Sequence, residues 1–177
     1  MTDLATTGVL LLNLGGPEKL DDVEPFLYNL FSDRQIIRLG PAFLQKPIAR
    51  MIARRRAPKS SESYEKIGGG SPIRRITDLQ AKALEDFLSD HGNFMVRSCM
   101  SFWYPFAEEA IRELVNGGVQ DVVALPLYPH YSIATTGSSL SDLHTTLRKH
   151  PSLSVREIRS WPDQASYIKC LAKRIEE

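Results

Sequence analysis

Cysteine is scarce in this chain: Cys99 and Cys170 are the only two in 177 residues, far apart and in neither metal-ligand nor redox spacing. That excludes a disulfide scaffold, and both thiols read as small buried hydrophobes in a reducing compartment. Long apolar runs are missing as well. Val9–Leu12 is too short to cross a bilayer, and the N-terminus carries Asp3 and no basic stretch, so neither a signal peptide nor a spanning helix is expected. The simplest reading is a cytoplasmic protein, with peripheral contact to an acidic membrane surface left open. Gly-x-Gly-x-x-Gly and a Walker lysine-hydroxyl pair are also absent, which weakens a nucleotide-binding reading.

What is present is ordinary globular composition, 42% hydrophobic and 24% charged, enough for one domain with a real core. The net charge of +1 is unevenly spread. Residues 46–75 hold nine Lys or Arg against two Glu, a local +7 that leaves −6 for the rest. Such a patch suits nucleic acid, an acidic membrane or a small anionic ligand, although its commonest meaning is a solvated helix face. Tyr64 is the only aromatic residue within it, so base stacking has little to work with and a small anion ranks above nucleic acid.

Beside this patch lies Tyr64-Glu-Lys-Ile-Gly-Gly-Gly-Ser-Pro-Ile73. Three glycines permit positive φ, and Ser71-Pro72 reads as an N-cap followed by proline in the first helical turn, whose amides would face an anion. Plain loop-to-helix punctuation is the blander alternative.

Gly8–Gly16 is an apolar run closed by glycines, as in a central strand buried on both faces. Val23, Phe26, Leu27, Leu30 and Phe31 follow amphipathic helical spacing. A second helix is expected over about 41–56. A third runs from Ser71 to His91-Gly92 with a stripe at Ile76, Leu79, Ala83 and Phe87. Strands are expected at 94–102, 119–127 and 155–158, and helices after Pro105, over about 136–149, and over 163–177 with a stripe at Ala165, Ile168, Leu171, Ala172 and Ile175. Alternating strands and helices give an α/β fold: a parallel sheet with helices on both faces and ligands beyond the strand carboxyl ends. Gly15-Gly16, Phe102–Tyr104, Tyr128–Ser132 and Trp161 fall at such ends.

Gly8–Glu18, Phe31-Ser-Asp-Arg34, Arg55-Arg-Ala-Pro-Lys59, Tyr64–Ile73 and Leu127–Ser139, in this order and spacing, resemble the ferrochelatases, which insert ferrous iron into protoporphyrin IX. The resemblance covers essentially the whole chain. It implies a chelatase-like, Rossmann-like domain over 1–177, the amino-terminal half of a two-lobed protein. Arg56, Lys59, Tyr64 and Ser71 match positions that bind porphyrin propionates or line that end of the pocket, and their chemistry suits carboxylates. Leu14 matches a position facing the macrocycle, and Leu27, Leu30, Phe31 and Ile36 match the apolar lip. For Leu27 and Leu30, plain helix core is an equal alternative. Tyr128 and Trp161 match pocket-side aromatics.

The chain departs from the family at Ser101-Phe102, where a basic-aromatic or Lys-His pair is common, so no metal delivery or proton relay through that pair carries over. The family's metalating histidine motif and its glutamate lie in the second half and have no counterpart here, so the resemblance assigns no catalytic residue and no metal ligand to this chain. It implies no organic cofactor, with ferrous iron as substrate. His130, the one histidine at an expected strand end, reads as structural or substrate-positioning. His91, His144 and His150 read as surface positions, and Glu108-Glu109 and Asp21-Asp22 as first-turn helix charges. The rival reading is a noncatalytic tetrapyrrole-binding domain.

Overall fold

The computed structural model describes residues 5–177. Four parallel strands, β1 (Thr7–Asn13), β2 (Phe94–Met100), β3 (Asp121–Pro126) and β4 (Ser154–Glu157), lie in the order β2-β1-β3-β4. As expected, β1 is central: Leu10 sits opposite Arg97 on one side and Ala124 on the other. Its alternation serves two cores. Leu10 and Leu12 face the layer of α4 (Ala107–Asn116) and α5 (Ser138–Leu147), whereas Val9 and Leu11 pack with Ala81 of α3 (Ile73–Leu88). Val9–Leu12 are therefore all buried, which is why this stretch shows no polar face.

Between β1 and β3 the connections leave to opposite faces of the sheet. This is the switch point at which α/β sheets open a crevice beyond their strand ends. Two further helices occupy that end: α1 (Val23–Ser32) and α2 (Gln45–Glu65). They approach closely because α2 presents Gln45, Ala49, Ala53 and Ala57 at four-residue intervals, all buried. Small side chains on one ridge let the helices interlock. A final helix, α6 (Ala165–Glu176), carries the expected stripe but buries none of it.

Three expectations are corrected. The second helix does not stop at Arg56. It passes through Pro58 to Glu65, placing the proline on the exposed side, where the carbonyl freed by its missing N–H can meet water. The stripe chosen for α3 faces outward: Ile76, Leu79 and Phe87 are 44%, 58% and 69% exposed, and Ala83 is exposed too. The helix buries Thr77 and Ala81 instead, with Leu84 and Leu88 packed beside the same core. Finally, Cys99 is buried as expected but Cys170 is exposed on α6.

Candidate functional site

The ends of β1 and β2 stay knitted beyond the sheet. Ser101 donates its amide to the Asn13 carbonyl (3.0 Å) and Phe102 to that of Leu14 (3.0 Å), while Leu127 donates to Leu12 (2.9 Å) from the β3 side. Asn13 adds a second clamp: its Oδ1 accepts from the Leu14 amide (2.8 Å) and its Nδ2 donates to Thr77 Oγ1 (3.1 Å) on α3. Leu14 is thereby held half-buried at the mouth of the crevice.

Against Leu14 packs one apolar cluster that gathers most of the residues singled out from sequence. Leu27 and Phe31 of α1 and Phe102 are buried in it, and Leu30, Ile36, Tyr64 and Trp103 pack against it half-exposed. Leu27 thus belongs to the core and Leu30 packs against it, as the plain helix-core alternative had it. Arg56 places its guanidinium carbon 5.5 Å from the centre of the Phe31 ring, a cation over an aromatic face. Lys59 lies one turn further along α2 and is exposed. Among the described residues neither Arg56 nor Lys59 forms an ion pair, whereas nearby Arg54 pairs with Glu24 (3.4 Å). Two cations without carboxylate partners among the described residues thus sit on the helix that packs against this cluster, and Tyr64, whose phenol is shifted up by burial, packs on it from the end of the same helix.

Ser71 stands beside the same crevice but differs in detail from its expected role. Its amide donates to the Pro17 carbonyl (2.7 Å), and its Oγ accepts from Ile73 N (3.3 Å) at the start of α3. A Cβ on Gly16 would come 2.7 Å from Ser71 Cβ, so the strand end and the helix start touch there. The glycine run is no open anion cradle: the Gly68 and Gly69 amides turn back to Glu65 and Tyr64 (3.1 and 2.9 Å), with positive φ at both residues, and close the end of α2. Gly70 must be glycine because a side chain would collide with the Glu18 carbonyl.

Tyr128 lies on the opposite side of the switch point, outside that cluster. Burial pushes its phenol up to about 12, opposed by the nearby Ser139 hydroxyl. The Tyr128 oxygen makes no hydrogen bond of good geometry, and Ser139 pairs with Ser101 (2.7 Å). Trp161 is locked beneath the end of β3 by donating Nε1 to the Pro126 carbonyl (2.8 Å). His130 is exposed, its ring against Tyr167. His144 pairs with Glu157, and His91 packs on Phe87. His150, expected at the surface, is half-buried with Nε2 enclosed. Glu108 and Glu109 occupy the first turn of α4 as expected.

Two groups escaped the sequence reading. Gln45 is a buried hydrogen-bonding hub at the start of α2, and Asp33 accepts from Gln35 N (2.7 Å) and from Ser138 Oγ. Asp33 falls within the block Phe31-Ser-Asp-Arg34, which gives it no role of its own; Gln45 has no motif, and only the four-residue rhythm from Gln45 through the alanines could have marked it.

A four-stranded parallel sheet covered on both faces, with an apolar helical cluster packed beyond the end of β1, is the architecture of a chelatase-like α/β domain. The chain belongs to the ferrochelatase family, whose model matches residues 6–177. It is 58% identical over 172 residues to "Ferrochelatase" of Desulfotalea psychrophila, covering 97% of this chain and 54% of that protein. It is 54% identical to "Ferrochelatase-2, chloroplastic" of Cucumis sativus, over 93% of this chain and 33% of that protein. Against "Ferrochelatase" of a Synechococcus strain the identity is 47%, over 98% of this chain and 46% of that protein. The chain spans about half the length of most of these curated relatives, and a third of the Cucumis one.

Proposed function

We propose that this chain supplies the porphyrin-gripping half of a ferrochelatase, an enzyme that inserts ferrous iron into protoporphyrin IX and releases two protons. The observation that carries this reading is the meeting of Leu14, Phe31 and Tyr64 in one half-open apolar cluster, with Arg56 over the Phe31 ring and Lys59 exposed one turn further along α2. A flat apolar ring bearing two carboxylates needs that combination: a greasy wall for the macrocycle and cations at one edge for the acids. Arg56, Lys59, Tyr64 and Ser71 anchor the propionates. Leu14, Phe31 and Tyr128 line the ring.

Metal insertion also needs a base for the two pyrrole protons and ligands to pass the metal. In this reading those groups come from outside these residues; His130, exposed against Tyr167, serves as a positioning group. No organic cofactor takes part. The compartment is the cytoplasm; among the described residues no helix is long and apolar enough to cross a membrane. Exposed Phe43, Met51 and Ile67 beside the basic helix suit peripheral membrane contact. Nucleic acid is not a partner.

Titration of the chain with protoporphyrin IX, followed by the Soret band, tests this reading. Saturable binding that weakens when Arg56 and Lys59 are neutralised supports it, and failure to bind overturns it.

A further inference from the structure

Residues 33–44 join α1 to α2 and form one wall of the cleft mouth; Ile36, Ile37 and Arg38 face Ser132 and Ile133 across a cavity of about 720 Å³. This wall has little regular structure of its own, and one side chain holds much of its backbone. Gln45 is 2% exposed and uses its whole hydrogen-bonding capacity on the segment and its neighbour. Nε2 donates to the carbonyls of Phe31 (2.8 Å) and Ile37 (2.9 Å). Oε1 accepts from the Leu39 amide (3.1 Å) and from Arg34 Nη1 (3.3 Å), and the same Arg34 nitrogen donates to the Gly40 carbonyl (2.8 Å). An uncharged amide is the side chain that offers two donors and two acceptor sites at once. An ionised glutamate would leave the two carbonyls unpaired; an apolar residue would leave the Leu39 amide so as well and take from Arg34 one of its two acceptors.

Gln45 is also the first residue of α2, the helix that three turns later carries Arg56 over the Phe31 ring. Thus α2 grips the backbone of Phe31 through its first residue and, three turns on, lays Arg56 over the side chain of the same Phe31. We propose that Gln45 is a positioning residue that sets the distance between the apolar lip and the propionate anchors, so that the cleft fits a porphyrin bearing two acid side chains. This role rests on the porphyrin reading above.

The test compares the wild-type chain with Gln45→Met, which keeps the shape, and Gln45→Glu, in amide hydrogen exchange and in porphyrin binding. Loss of a buried, fully used amide should speed exchange at Leu39 and across residues 34–44 by about tenfold or more, while Val9–Leu12 and Val122–Leu125 keep their protection. Affinity for protoporphyrin should fall about fivefold, chiefly through faster dissociation, with a smaller loss for a porphyrin lacking acid side chains. Should Gln45→Met not fold, Arg34→Ala removes only the charged partner and should shift both readouts in the same direction by less. Faster exchange throughout the sheet, an unchanged affinity, or equal losses for the two porphyrins would overturn the proposal. If the wild-type chain binds no porphyrin, the porphyrin reading and the positioning role fall together, while a local exchange effect would still establish Gln45 as the anchor of the segment.

Discussion

Arg56 lies over the Phe31 ring, its guanidinium carbon 5.5 Å from the centroid, so the cation that faces the solvent is seated on the aromatic wall of the cleft. The contact joins two parts of the proposed site that come from different helices. It also orients a long, otherwise mobile side chain before any ligand arrives, which lowers the entropy lost on binding.

Neutralising Arg56 or Lys59 should weaken porphyrin binding without disturbing the fold. Arg56→Leu and Lys59→Ala are each expected to lower protoporphyrin affinity about three- to tenfold, the range for exposed charge-assisted bonds. A porphyrin without carboxylates should bind wild type and variants alike. Equal losses for both ligands in a Soret titration would show that the cations act through packing.

The contacts of the glycine run predict a ranking in thermal stability. Gly70→Ala drives a methyl group into the Glu18 carbonyl, a backbone atom that cannot step aside. Overpacking of this kind costs about 1–3 kcal/mol, or roughly 3–10 °C in melting temperature for a chain of this size. Gly68→Ala meets no atom within 4 Å and suffers only the strain of its positive φ, so it should lose less. A larger drop for Gly68→Ala would contradict the geometry.

Asp142 predicts a pH dependence. Burial, then the charges of Asp33 and Glu109, raise its pKa above 3.8, so the folded state holds this proton more tightly than the unfolded state does. Stability from this group is full below the unfolded pKa and is lost as pH rises through the folded one. Asp142→Asn should accordingly be the more stable protein at neutral pH, with its advantage shrinking toward pH 3.8. Urea melts across that range check the sign; a wild type more stable at pH 7 would reverse it.

Much of this molecule was legible in the chain because the strongest signals agreed with one another. Val9–Leu12 are apolar at four successive positions because both faces of β1 are covered, and Gly15-Gly16 mark where the backbone turns at the crevice. Leu14, Phe31 and Tyr64, from three of the family blocks, are far apart in sequence and meet in one cluster, joined there by Phe102, at which the chain departs from the family. The failures have physical causes. The outward stripe of α3 is more hydrophobic than the face it buries, since a threonine bonded to Asn13 and a small alanine make the tight contacts. The helix α2 runs past the expected end near Arg56 because a proline on the exposed side of a long helix is tolerated. Gln45 was invisible because a glutamine becomes special only when four partners converge on it.

The most direct test of the account is to titrate the purified 177-residue chain with protoporphyrin IX and then add ferrous iron anaerobically, following the Soret band throughout. Stoichiometric binding with no heme formed above the protein-free rate is the predicted result, that of a gripping half whose proton- and metal-handling groups lie elsewhere. Absence of binding, or heme formation above that rate, would contradict it.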